Sequence, residues 1–217
     1  MRSSKSKLNR QKIILATTNQ GKFHELKKCL TGVPADFQSL ADLGAREDVK
    51  EKGKNFLENA RLKSLAWSRR SDFLILAEDS GLEVDALRGQ PGIYSARYSG
   101  PRATNEKNIC KVLRLMQGIP WPRRTARFVS WAVLSRKGRI LKEGKGQVRG
   151  YIAFNKKGTQ GFGYDPIFFY SPWKKTFGQV ARAEKGKVSH RGRALKKIKA
   201  FLIKYLDAAQ QENEKGA

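Results

Sequence analysis

A mixed α/β fold, a β-sheet covered by helices, is predicted by three features of the sequence. Short β-favouring apolar runs alternate with stretches of helical periodicity, turn-forming Asn, Gly and Asp mark the joins, and no internal repeat or Pro-rich linker divides the chain. The first run, residues 12–17, reads as a strand, followed by a polar loop at Asn19, Gln20 and Gly21 and a helix through residue 30. A second helix is predicted over 55–70, then an apolar strand over 73–77 that stops abruptly at Glu78, Asp79, Ser80 and Gly81. Residues 82–84 and 93–97 read as short extended pieces, 104–116 as a helix, and 128–135 with 140–149 as a hairpin turning near Lys137 and Gly138. An aromatic, glycine-rich segment leads into a strand over 167–170. Ala194, Leu195, Ile198, Phe201, Leu202, Tyr205 and Leu206 recur at three-and-four spacing, which makes the last segment an amphipathic helix flanked by lysines. The expected organisation is a basic tail (1–11), one domain (12–206) and a polar tail (207–217) that frays.

At 217 residues and 39% apolar content, the chain suits one compact unit. Lys and Arg number 45 against 19 Asp and Glu, a net charge of +26 whose field favours phosphate-bearing partners. Charge alone does not distinguish a long nucleic acid from a small triphosphate. Cys29 and Cys110 have no CxxC spacing, which fits free thiols in a reduced cytoplasm better than a disulfide scaffold. No run approaches the roughly 20 apolar residues that cross a bilayer, and no secretory apolar core opens the chain, so a soluble cytoplasmic protein with no membrane is expected. The basic opening stretch reads as a solvated tail in preference to an organelle transit peptide.

Two carboxylates, Glu78 and Asp79, emerge where an apolar strand meets a turn, and Glu51 precedes the helix bearing Lys63, so a third acid can converge there. Hard oxygen ligands of this kind suit magnesium, which usually takes only one or two. Lys63 falls on the inward stripe of its helix with Phe56, Ala60 and Trp67. Either an anionic partner holds it or its stem runs past Trp67 to water. Thr17, Thr18, Asn19 and Lys22 follow a strand and open a helix, where backbone amides accept phosphate, although the Walker spacing is missing. Phe162, Gly163, Tyr164 and Asp165 offer aromatic faces to a planar base, or simply form a tight turn. Lys185, His190 and Arg191 flank the start of the last helix, with Ser189 placed as its N-cap; no triad or metal-ligand spacing accompanies His190, which reads as a recognition residue.

Together, ATTNQGK from Ala16, FLENARLK from Phe56, AEDSGLEVDAL from Ala77, PGIYSARYSG from Pro91, GFGYDPIF from Gly161 and SHRGRAL from Ser189 resemble the inosine triphosphate pyrophosphatase, or Ham1, family over residues 12–206. The resemblance implies an elongated mixed sheet with two lobes, a nucleotide cleft between them, and a homodimer. It also implies magnesium-dependent hydrolysis of deaminated purine triphosphates (ITP, dITP and XTP) to the monophosphate and pyrophosphate. On this likeness Glu51, Glu78 and Asp79 are the metal-binding acids, with Asp79 activating water. Thr17, Thr18, Asn19, Lys22 and Ser80 hold the triphosphate, with Lys63 beside them as a catalytic residue. Phe162 stacks on the base, Gly163, Tyr164 and Asp165 shape its pocket, and Lys185, His190 and Arg191 close over the purine. The chain departs from the family pattern at Lys52, where Thr is frequent, at Gln179, where an acid is common, and in its positive charge. The rival reading is a nucleic-acid-binding protein on the same fold. It has charge and aromatic residues in its favour, but no RNP, zinc-finger or KH pattern, and acids that repel a phosphate backbone unless a metal intervenes.

Overall fold

The computed structural model describes residues 10–45 and 49–215, so the tail expected over 1–11 lies almost wholly outside the described residues. Strands β1 (Gln11–Leu15), β2 (Ala35–Ser39), β3 (Leu74–Val84), β4 (Thr125–Arg136), β5 (Arg139–Ile152), β6 (Phe168–Tyr170) and β7 (Lys175–Thr176) form one sheet in the order β2-β1-β3-β4-β5-β6-β7. β1 runs parallel to β2 and β3, and every later pairing is antiparallel. The helices are α1 (Gln20–Cys29), α2 (Phe56–Ser68), α3 (Asn105–Leu115), α4 (Arg182–Val188) and α5 (His190–Lys215). None of those described is long and apolar enough to cross a membrane.

The helices start where polar side chains replace the missing backbone acceptors. Asn19, Asn55 and Thr104 cap α1, α2 and α3 by accepting from the backbone N–H three residues on. The β4–β5 hairpin turns at Lys137 and Gly138, both with positive φ (49° and 71°), the twist that suits a two-residue connection.

Two cores share the sheet. One packs Ile13, Leu15, Leu76 and Leu134 against α1 and α5 through Leu26, Leu195, Ile198 and Leu202. The other gathers Leu82, Val84, Phe128, Val148, Phe168 and Phe177 with Ile109 and Val112 of α3. On the opposite face a smaller group, Ile14, Leu40, Ile75 and Ala77, meets Trp67 of α2. Gly144 and Gly146 bring α5 directly onto β5, since a Cβ at either would run into helix backbone, at Ala194 or His190.

Several expectations change. β3 does not stop at residue 77 but continues through the acids to Val84, because β4 hydrogen-bonds alongside it from Ile75 to Val84. Residues 93–97 are not extended: Gly92–Arg97 forms a 3-10 turn fixed to β3 by Ser95, whose Oγ accepts from Leu82 N and donates to Gly92 O (2.9 and 2.6 Å). The chain after residue 207 continues α5 to Lys215, its Ala, Gln and Glu being good helix formers. β2 and α4 are additional elements.

Candidate active site

β1 pairs with β3 only from Ile13 to Leu15, opposite Leu74 to Leu76. Beyond that point β1 turns away into Thr17–Asn19, and β3 is left open on that side as the acids begin. Thr17 Oγ1 accepts from Asn19 N (3.2 Å), Asn19 Oδ1 accepts from Lys22 N (3.0 Å), and Lys22 Nζ then donates to the Glu78 carbonyl at 2.8 Å. Here the parallel half of the sheet ends and the loop opens α1, so amide donors and a lysine collect beside the strand.

Alternation along β3 sends consecutive side chains to opposite faces. Glu78 and Ser80 turn toward α5. Glu78 accepts from Ser130 Oγ (2.6 Å) and pairs with Lys22 Nζ (2.6 Å) and Arg191 Nε (3.3 Å). Burial opposes its ionisation, but Arg191 and then Lys22 outweigh burial and hold the carboxyl well below the usual carboxylate range. Ser80 Oγ accepts from Arg191 Nη2 at 3.0 Å, and Arg191 also pairs with Glu25.

Asp79 turns toward α2. Its Oδ2 accepts from Asn59 Nδ2 (3.1 Å) and its Oδ1 from the Ser80 N–H (3.0 Å). Burial pushes its carboxyl up to about 6; Lys22 and Lys63 lower it, while Glu51 and Glu78 add to the rise. Lys63 is buried and pairs with Glu51, which also meets Arg97 at 3.3 Å, so an anionic partner and not a snorkelling stem accounts for the lysine's place on the inward stripe. Burial raises Glu51, yet Lys63 chiefly, then Arg97 and Lys22, bring it below its ordinary value.

The other end of the site is aromatic and cationic. Gly161 has φ of 79°, and Asp165 Oδ2 accepts from Phe162 N at 2.9 Å, closing a turn that leaves the Phe162 ring 42% exposed. Lys185 Nζ pairs with Asp165 at 2.6 Å and lies 5.1 Å from the Phe162 ring centroid, with the Arg191 guanidinium at 5.5 Å. Burial raises the Asp165 carboxyl despite Lys185. Tyr164 donates to Ser95 O at 2.8 Å. Ser189 caps α5 through its Oγ, which accepts from Gly192 N at 3.1 Å. His190 stacks on Phe128 (4.7 Å, 15°); burial, then Arg191 and Lys185, lower its pKa well below the ordinary value, and its Nδ1 is buried without a hydrogen-bond partner among the described residues.

These two ends share a cavity of about 300 Å³ lined by Thr17, Thr18, Asn19, Lys22, Glu51, Lys63, Asp79, Ser80, Phe162, Gly163, Tyr164, Asp165, Lys185, His190 and Arg191. The expected residues are therefore brought together with one exception. Glu78 is buried on the far face of the strand and does not line the cavity. Among the described residues no three His, Cys, Asp or Glu side chains form a ready-made metal cluster. A cation would have Asp79 and Glu51 as its protein oxygens.

Sequence reasoning missed Asn59, Ser95, Asn108 and Ser130. Asn59 and Ser130 had a signal, each a polar residue at an inward position: Asn59 lies four residues before Lys63, and Ser130 alternates with Phe128 and Ala132. Ser95 and Asn108 had none. Gln179, the departure from an expected acid, accepts from Thr176 N at 3.0 Å through Oε1, a role open to either side chain.

The sequence profile of the Ham1 family matches residues 13–201. The chain is 46% identical over 189 residues to the dITP/XTP pyrophosphatase of Halalkalibacterium halodurans, covering 87% of this chain and 97% of the relative. It is 42% identical over 197 residues to the dITP/XTP pyrophosphatase of Thermoanaerobacter pseudethanolicus, covering 90% and 98%. Among solved structures, the Staphylococcus aureus Ham1 protein superposes with a TM-score of 0.80 at 41% identity, covering 88% of this chain and 98% of the other. With its profile matched over residues 13–201, a span that holds every residue lining the cavity and the buried residues of both cores save Leu202 and Leu206, the chain belongs to the Ham1 family.

Proposed function

We propose that this chain hydrolyses ITP, dITP and XTP to the nucleoside monophosphate and pyrophosphate. The observation that carries the reading is one cavity holding the buried Asp79 and its lysines at one end and Phe162 with Lys185, His190 and Arg191 at the other. A triphosphate and a planar base have the same polarity, charge at one end and an aromatic face at the other. The names of the relatives, dITP/XTP pyrophosphatases, support two of these three substrates.

In this reading Thr17, Thr18, Asn19 and Lys22 bind the phosphates at the opening of α1, and Ser80 completes that wall. Asp79 accepts the proton of the attacking water. With its carboxyl near 6 it is largely ionised at neutral pH while remaining basic enough for the task. Lys63 and Lys22 stabilise charge on the departing pyrophosphate. Phe162 stacks on the base, Gly163, Tyr164 and Asp165 shape the pocket, and Lys185, His190 and Arg191 supply donors to the 6-oxo group. A 6-amino group in that position leaves buried donors unpaired, at about 1–3 kcal/mol each.

The residues fit magnesium. Asp79 is a buried carboxylate whose hydrogen-bond donors, the Asn59 amide and the Ser80 N–H, are neutral, and Glu51 lines the same cavity. These two would hold the ion, with phosphate and water oxygens filling its shell, and it would offset charge on the phosphates. Glu78 serves from the other face by fixing Lys22 and Arg191. A homodimer and a cytoplasmic setting belong to the same proposal, the first through the family resemblance and the second through the two free cysteines.

The test is pyrophosphate release from ITP, dITP, XTP, ATP and GTP at matched concentrations, with magnesium and with a chelator. Fast, magnesium-dependent release confined to the first three is expected. No release from any of them would remove the proposal, and equal release in chelator would remove the metal from it.

A further inference from the structure

α5 carries far more positive charge than the cleft uses. From His190 to Lys204 the sequence has six Lys and Arg residues and no acid. Arg191 turns inward to the cavity, but Arg193, Lys196, Lys197 and Lys204 are exposed. At 3.6 residues per turn these four fall on one stripe, opposite the face buried through Ala194, Leu195, Ile198 and Leu202. Lys142 of β5 flanks the stripe, its Nζ 6.0 Å from the Phe201 ring. Among the described residues, none of these five cations has a carboxylate within ion-pair distance.

Like charges three and four residues apart on a helix repel, so this stripe destabilises α5 slightly and no internal ion pair offsets it. An external polyanion does. Arg193 to Lys204 extends about 16 Å along the helix, roughly five base-pair steps of a duplex. The stripe is a convex row and not a pocket, which suits a repeating phosphate backbone better than a single small anion. It also suits nucleic acid better than a lipid surface. A membrane-seeking helix inserts its apolar face, whereas the apolar face of α5 is buried under the sheet.

We propose that the exposed basic stripe of α5 docks nucleic acid through its phosphates, without base recognition and separately from the cleft. The full chain is titrated by fluorescence anisotropy against labelled random-sequence duplex DNA and single-stranded RNA over a range of salt, and in parallel against anionic phospholipid vesicles. Nucleic-acid binding that weakens linearly in log affinity against log salt is expected. The K196E/K197E/K204E variant should lose at least about tenfold at low salt, and its slope on duplex DNA should flatten by about 0.9 for each contact removed. R102E/K107E/R114E places the same charge reversal on and beside α3, in the other core, and should bind like the parent. Thermal melting establishes that both variants fold; if the α5 reversal does not, K196Q/K197Q/K204Q replaces it. Absence of nucleic-acid binding, equal loss in the α3 control, or binding to vesicles alone would each overturn the proposal. Pyrophosphate release, which none of these residues touches, should be unchanged in the α5 variant.

Discussion

Glu78 and Asp79 are consecutive residues of β3, yet their carboxylates lie on opposite faces of the sheet, one among Lys22, Ser130 and Arg191 and the other against Asn59 of α2. The pair divides its work accordingly. Glu78 is held ionised by Arg191 and Lys22 and in turn fixes both cations. Asp79, whose hydrogen-bond partners among the described residues are the neutral Asn59 amide and the Ser80 N–H, is held near 6 by burial and faces the cavity.

Asp79→Asn removes the proposed base while keeping the shape and the Asn59 contact region. Turnover of ITP should fall by at least about a hundredfold, with nucleotide affinity preserved. Steady-state kinetics with equilibrium binding separate the two quantities, and an active Asp79→Asn enzyme would sink the mechanism.

Asn59 ties the Gly53 backbone to Asp79, because its Oδ1 accepts from Gly53 N (2.8 Å) while its amide donates to Asp79. Asn59→Leu leaves the half-buried Gly53 N–H and a buried carboxylate oxygen of Asp79 short of a partner. A loss of about 1–3 kcal/mol in urea unfolding is expected, together with a lower kcat. Gly53→Ala should show the same defects, since its Cβ would stand 2.6 Å from Asn59 Oδ1.

Phe162→Ala should weaken purine binding by about 1–3 kcal/mol, the range for stacking of a base on an aromatic ring. Phe162 is 42% exposed, so the melting temperature should hardly move. Unchanged KM for ITP would place the base platform elsewhere.

His190 gives the fold a pH dependence of known sign. Burial first, then Arg191 and Lys185, hold it neutral in the folded chain, whereas unfolded it titrates near 6.5. The unfolded state therefore binds the extra proton, and stability that is full above that value is lost as pH falls below it. The slope from this one group is up to about 1.4 kcal/mol per pH unit. Asp79, raised by burial to about 6, contributes with the opposite sign over the same interval, so the effect is read as a difference: in urea unfolding between about pH 7 and pH 5 the parent should lose more stability as pH falls than His190→Phe, which keeps an aromatic ring against Phe128.

Much of the site was legible in the sequence because its motifs are local. The stretch from Thr17 to Lys22 is a strand-to-helix loop whichever strand lies beside it, and Asn19 is its cap by type and position alone. The stripe from Ala194 to Leu206 announces a helix by spacing. Lys63 betrays burial by standing on an inward face. These properties depend on residue type and chain periodicity, which the sequence states directly.

What the sequence did not contain was which residues meet across long separations. It read the acids as a strand end, since charge beside Gly usually ends a strand, and only the partner β4, some fifty residues later, carries β3 through them to Val84. That pairing fixes the alternation, sends Glu78 away from the cavity, and brings Ser130 and Arg191 to it. The raised Asp79 and the neutral His190 follow from burial among neighbours drawn from several elements. Local periodicity determined the pieces, and six short motifs the family they resemble; tertiary packing decided each group's dielectric surroundings and charge partners, and with them the chemistry each carboxylate can do.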